Sequence, residues 1–156
     1  MGEGTTDRFP RAFRRALGDL GDAMPSLDHT IVHSKDRFAS ARFLADLMDA
    51  PEPKAFGPFA ALKLDNGVTL DFAEHVAGGR EFVATHYAFL VTEEEFDGIF
   101  SRIQERDLPY WADPLHSKPQ QINHHDGGRG LYVDDPDGHS MEFLTRTYSE
   151  ELLTSL

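Results

Sequence analysis

Two histidines and two carboxylates stand at matching places in the two halves of this 156-residue chain. The first half contains Asp28-His29-Thr30-Ile31-Val32, a stretch of helical character closed by Pro51, and then Asp65-Asn66-Gly67-Val68-Thr69-Leu70-Asp71-Phe72. The second half answers with Thr85-His86-Tyr87-Ala88-Phe89, a similar stretch closed by Pro109, and then Asp135-Pro136-Asp137-Gly138-His139-Ser140-Met141-Glu142-Phe143. His29 therefore matches His86, and Asp71 matches Glu142. His29, His86 and Glu142 make the set of two imidazoles and one carboxylate that holds a divalent ion on one face and leaves positions open for substrate, water or dioxygen. Such donors suit Fe(II), Mn(II), Zn(II), Co(II) or Ni(II), and the chain has no cysteine to add a thiolate. A lone strand histidine is ordinarily a core or surface residue; recurrence at equivalent places of a repeat is what lifts this set above that reading. Asp71, one methylene shorter than Glu142, stays open between a fourth ligand, an acceptor from a ligating imidazole and an ordinary polar strand residue.

The elements that must position these groups follow from periodicity. Residues 36 to 48 carry Phe38, Ala41, Leu44, Ala45 and Met48 on one helical face, and a second helix is expected from about Glu93 to Arg106. Strands are expected at Phe59 to Leu64 and Val68 to Ala73, joined by the hairpin signal Asp65-Asn66-Gly67, because Asn-Gly accepts the positive φ of a tight turn. The second half repeats the order with strands at His86 to Val91, near Tyr110, at Gly130 to Val133 and at Ser140 to Thr145. Each half reads β-α-β-β-β, and a pseudo-twofold between the halves would bring the four polar side chains to a common place. Before them, Phe9, Phe13, Leu17, Leu20 and Met24 form the stripe of an amphipathic helix, with Pro10 suited to its first turn. Arg8, Arg11, Arg14 and Arg15 are balanced there by Glu3, Asp7, Asp19 and Asp22, which favours a packed helix over a membrane-surface one.

Composition bounds the rest. At this length, with 40% hydrophobic residues, one core is affordable and two ordinary domains are not. The expected organisation is an N-terminal extension over 1–26, one domain over 27–147 with modules 27–75 and 84–147, and a tail over 148–156. A net charge of −12 disfavours a phosphate-backbone site, so no nucleic-acid partner is expected. No apolar run has the length of a membrane span, which makes a cytoplasmic protein without a membrane partner the default expectation.

Taken together, Leu27-Asp28-His29-Thr30, His86-Tyr87-Ala88-Phe89 and Asp135-Pro136-Asp137-Gly138-His139 leading to Glu142 resemble the vicinal oxygen chelate superfamily. That superfamily includes glyoxalase I, extradiol dioxygenases, fosfomycin-resistance proteins and bleomycin-binding proteins. The resemblance covers residues 27 to 147 and implies an α+β fold in which paired βαβββ modules form a cupped mixed sheet around a metal. Phe56-Gly57-Pro58-Phe59, Leu64 to Ala73, Tyr110-Trp111-Ala112-Asp113-Pro114 and Ile122 to Tyr132 look most like the ChaP-like dioxygenase group. This likeness implies oxidative C–C cleavage or rearrangement of an aromatic or polycyclic quinone or catechol in polyketide biosynthesis, with Fe(II) favoured over Mn, Ni, Co or Zn. It also implies O2 and a small aromatic substrate as partners, and a homodimer whose sites are assembled across subunits, so that His29 and Glu142 come from different chains.

Under that resemblance Tyr132 falls where extradiol dioxygenases carry a catalytic tyrosine, although fosfomycin-resistance proteins often have one there too. His124 and His125 fall where a ring-cleaving enzyme would place an acid/base histidine, and an exposed His-rich loop is the competing reading. Phe56, Phe59, Tyr87, Tyr110 and Trp111 could wall a pocket for a flat ligand, against the plainer alternative of core aromatics. Arg129 and Arg146 could meet an anionic oxygen, and His33 and His116 could touch substrate, whereas His75 and His139 belong to strand ends or turns. Two other functions compete: a glyoxalase-like isomerase or lyase, favoured by four protein ligands, and a drug-sequestering resistance protein, which would need the cup without the metal.

Overall fold

The computed structural model describes residues 26–74 and 81–147. The expected amphipathic helix over residues 8 to 24, the 148–156 tail and His75 lie outside them. Strand β1 (His29–His33) leads into helix α1 (Arg37–Met48), then β2 (Lys54–Phe56), β3 (Phe59–Lys63) and β4 (Thr69–Ala73). The second module runs β5 (His86–Leu90), α2 (Glu93–Glu105), β6 (Tyr110–Trp111), a single 3-10 turn (His125–Gly127), β7 (Gly130–Asp134) and β8 (Ser140–Leu144). Each module is a four-stranded mixed sheet, ordered β1-β4-β3-β2 and β5-β8-β7-β6, with β1 and β5 as open edges. The expected βαβββ order holds in both halves.

Local chemistry explains the boundaries. Asp36 caps α1 by accepting from the N–H groups of Phe38 and Ala39, and Asp49 ends it in the left-handed region at φ 57°. Thr92 and Glu95 form a reciprocal capping box that starts α2. Gly67, at φ 90°, makes the expected turn between β3 and β4, and Asn66 Oδ1 accepts from the Val68 N–H. The residues between Pro51 and Pro58, expected as loop, hold the short strand β2. Lys54-Ala55-Phe56 finds a ladder because Gly57 turns at φ 55° and lets it fold back on β3.

The core lies between the helices and one face of each sheet: Val32, Leu62, Leu70 and Phe72 meet Leu44 and Leu47, and Leu131, Met141 and Phe143 meet Phe96, Ile99 and Ile103. No described ladder joins the two sheets. The modules meet where α1 packs on α2, with the Arg102 guanidinium donating to the Leu47 carbonyl at 3.1 Å. They meet again at the turn between β7 and β8. There the His139 ring, wholly buried, donates from Nε2 to the His33 carbonyl at 2.6 Å and accepts at Nδ1 from the Thr85 N–H at 2.9 Å. Phe82 stacks on this imidazole with centroids 5.4 Å apart, and Asp137 accepts from the Lys35 N–H and the Ser40 hydroxyl. His139 is thus at a turn, as expected, but it also bridges the modules. Asp135 Oδ1 shapes the turn by accepting from the N–H groups of Asp137 and His139, while burial pushes its carboxyl pKa up against those bonds.

Replacing His139 with Ala leaves the Thr85 N–H and the His33 carbonyl without their partner and opens a cavity beneath Phe82. A loss of about 3 kcal/mol is expected. Urea unfolding of His139→Ala against wild type measures it, and a loss below about 1 kcal/mol would deny the bridge its role.

Candidate metal-binding site

Strand alternation sorts every candidate side chain onto one of two faces. On β8, Met141 and Phe143 turn to the core, so Ser140, Glu142 and Leu144 turn to the opposite face. On β7 the same rule sends Leu131 and Val133 inward and leaves Gly130, Tyr132 and Asp134 opposite; on β5 it leaves His86, Ala88 and Leu90. Cross-strand register then aligns Ala88, Glu142, Tyr132 and Trp111 in one row. Glu142, only 4% exposed, accepts from the Tyr132 hydroxyl at 2.8 Å and from His86 Nε2 at 3.1 Å. The His86 and Tyr132 rings lie 5.9 Å apart. A buried carboxylate satisfied by two donors, one an imidazole open to solvent on its other side, can hold a divalent cation in place of the ring proton.

The first module carries the equivalent pair. Ile31 aligns with Asp71 as Ala88 aligns with Glu142, and His29 with Thr69 as His86 with Ser140, so the repeat holds residue by residue. Asp71 is 8% exposed and no described residue hydrogen-bonds it, an arrangement that leaves its charge for something else to compensate. His29 is exposed, and the Asp28 carboxylate 2.7 Å from Nδ1 raises its pKa, with a smaller contribution from Asp71 and opposed by burial. Among the described residues of a single chain no three histidines, aspartates and glutamates converge. The expected common place is therefore not formed within one chain: each sheet offers one imidazole and one carboxylate, and the sheets present them separately.

The remaining candidates divide by the same parity. Phe56, Phe59 and Trp111 lie on the faces that carry the polar pairs, Phe56 being 68% exposed at the β2–β3 tip. Tyr87, Tyr110 and Arg129 lie off those faces. Tyr87 packs edge-on against His139, and Tyr110 edge-on against Phe100 of α2. Arg129 is held by Glu93 and Asp97 of α2, each at 2.6 Å, with its guanidinium over the Phe96 ring. Arg146 likewise donates to the Asp126 carbonyl rather than waiting for an anion. His124 and His125 are exposed around the 3-10 turn, and His33 Nδ1 is buried without a partner.

Between β6 and β7 the chain folds back over the sheet. Asn123 pairs with Gly130, where a Cβ would come within 2.7 Å of its side-chain oxygen, so any larger residue there would have to displace the Asn123 side chain. The His116 ring lies flat on Trp111, with centroids 3.7 Å apart and planes 6° from parallel, and its Nε2 is 3.4 Å from Asp134. Asp113 ties this loop by accepting from the N–H groups of Leu115, Ser117 and Lys118. Burial raises its pKa, but the bonds from Ser117, Lys118 and Leu115 outweigh that and leave it lowered. Asp134 and Asn123 were not singled out from the sequence. The parity of β7 could have found Asp134; Asn123 is placed by a long-range bridge that no local pattern announces.

No family model matches the chain. Among solved structures, the oxidase ChaP-H1 is 56% identical, with a TM-score of 0.77, over 81% of this chain and 99% of that one. The oxidase ChaP-H2 is 49% identical, with a TM-score of 0.76, over 81% and 98%. The metallothiol transferase FosB of Shouchella clausii is 35% identical over 68 residues, 44% of this chain, and the match spans only 42% of that relative's length.

A carboxyl whose folded pKa is lowered stabilises the fold above its unfolded pKa, and the stabilisation is lost as pH falls through the folded value. Acidification below the ordinary carboxylate range should therefore loosen the Asp113 loop and move the emission of Trp111, the chain's one tryptophan. Asp113→Ala should show the altered emission already at neutral pH and no such acid step. An unchanged step would assign it to another group.

Proposed function

The chain belongs to the vicinal oxygen chelate superfamily, with the ChaP oxidases among its near relatives, and from that premise we propose that it is a divalent-metal-dependent dioxygenase. Its substrate would be an aromatic or polycyclic catechol or quinone in secondary metabolism, cleaved or rearranged with O2. The observation that carries the reading is the Glu142 cluster: a buried carboxylate joined to one imidazole and one tyrosine on an open sheet face, with its His29–Asp71 counterpart in the same register.

The donor set fits a divalent ion, Fe(II) favoured, held by His86 and Glu142 with His29 completing it from a second copy. Support for that second copy comes from the edges. Among the described residues β1 and β5 each lack a neighbour on one side, and Leu90 on β5 is 65% exposed, so each module offers an edge beside its half-site. When bound, the ion would polarise vicinal oxygens of the substrate and bring O2 beside it. The protein's own part is to orient and to move protons. Tyr132 fixes the Glu142 carboxylate through its hydroxyl and stands where it can pass a proton to or from the substrate. Phe56 and Phe59 supply flat apolar surface, and His124 or His125 remains the candidate for a second proton carrier. Asp71, buried and without a hydrogen bond among the described residues, favours the second reading, a glyoxalase-like isomerase or lyase in which a fourth ligand and a proton-shuttling carboxylate replace O2 chemistry.

Oxygen uptake by anaerobically purified, Fe(II)-loaded protein offered catechols and polycyclic hydroquinones separates the two. The expected result is substrate-dependent uptake, absent in His86→Ala and reduced about 10- to 100-fold in Tyr132→Phe. Retained metal with no uptake across the panel would move the assignment to proton transfer. Mixing inactive His29→Ala and His86→Ala chains tests the shared site: random pairing leaves about a quarter of the sites intact, and activity should recover to that share. Sites closed within one chain would recover nothing.

A further inference from the structure

The proposed reaction leaves one constellation unused, the stack of His116 on Trp111. Trp111 is the register partner of Tyr132, and Asp134 lies two residues along the same strand, so both flank Tyr132 on the face that carries Glu142 and His86. His116 touches both: its ring lies parallel to the indole at 3.7 Å, and its Nε2 stands 3.4 Å from Asp134. Its backbone is held at φ 57°, a conformation uncommon for a residue with a Cβ. The Asp113 hydrogen bonds to Leu115, Ser117 and Lys118 fix the loop on both sides of it. Trp111 covers one face of the imidazole, so the 36% of the side chain that is exposed lies on its other face and edge.

We propose that His116, stacked on Trp111 and tethered by Asp134, is the specificity-determining wall of the site and selects flat, fused-ring substrates over non-planar ones. Two parallel rings make a rigid stop whose free face is planar, and a flat hydroxyarene loses little on stacking there. Asp134 stands 3.4 Å from Nε2 on one edge of the imidazole, and with the ring proton directed there Nδ1 is left to accept from a phenolic hydroxyl. His116 itself is not asked to perform chemistry. The inference rests on the metal-site reading for the position of the substrate oxygens, while the wall is read from contacts independent of the metal.

Because the chain has one tryptophan, ¹⁵N-labelled protein gives one indole N–H signal, assignable without mutagenesis. Zn(II)-loaded protein, which does not turn over, would be titrated with 2,3-dihydroxynaphthalene and, separately, with lactate, whose vicinal oxygens are not on a ring. The dihydroxynaphthalene should shift the Trp111 signal saturably and lactate should not. Calorimetry should show His116→Ala binding the flat diol about tenfold more weakly, His116→Phe staying close to wild type, and all three proteins binding lactate alike. An unmoved indole signal in wild type, or His116→Ala affinity within about twofold of wild type, overturns the proposal. Zinc content of the same samples decides the parent reading separately: wild type that retains no zinc refutes the metal site, and the indole shift and the His116 variants still judge the wall.

Discussion

The hydrogen bond from His139 Nε2 to the His33 carbonyl is the constraint on which the rest of the arrangement depends. Two four-stranded sheets with no ladder between them have no backbone reason to hold one orientation. α1 and α2 provide one point of contact, through packing and through Arg102 on the Leu47 carbonyl. A second point is needed to fix an angle, and the β7–β8 turn supplies it. A carbonyl can only accept, so the proton on His139 must be on Nε2, which leaves Nδ1 to accept from Thr85. The imidazole is thereby satisfied at both ends while wholly buried, and Asp137 adds bonds to Lys35 and Ser40 beside it. β8 leaves this turn directly, so the anchor sets where Glu142 begins its approach to the open face.

Parity along the strands does the rest. Residues at odd steps from Glu142 on β8 enter the core, and Glu142 is kept out of it by position alone. Once out, a carboxylate that is 4% exposed needs donors, and register brings Tyr132 opposite it and His86 diagonal to it. The first module obeys the same parity with Ala61 where the second has Tyr132. That single difference accounts for the unequal half-sites: Glu142 has a hydroxyl to share its charge, and Asp71 has none.

Much of this was legible from residue order. The Asn66-Gly67 turn, both helices and the pairing of His29 with His86 follow from patterns spanning a few residues, and they stand within one or two residues of their expected bounds. β2 was not legible, because three residues between prolines show no period; a ladder partner defines them. The aromatic wall was only half legible. Tyr87, Tyr110 and Trp111 read alike as strand aromatics, yet a one-residue step puts Tyr110 against Phe100 and Trp111 under His116. A short strand's parity is settled by its neighbours, and β6 has only two residues with which to announce it. The partners of Arg129 were not legible for a related reason: a basic residue beside β7 says nothing of Glu93 and Asp97 on α2, to which the fold returns it.

The Glu142 cluster also shows how a buried carboxylate is satisfied by its own sheet. Left bare, a carboxylate so buried would oppose folding. The His86 N–H and the Tyr132 O–H satisfy it, so the cost of burial is met locally. A cation bound at His86 Nε2 would need the lone pair there, so the ring proton would sit on Nδ1 instead. Tyr132 loses nothing in the exchange, since its bond is to the other carboxylate oxygen. The same hydroxyl that helps to satisfy Glu142 would therefore remain in place to orient it once the second donor had changed its role.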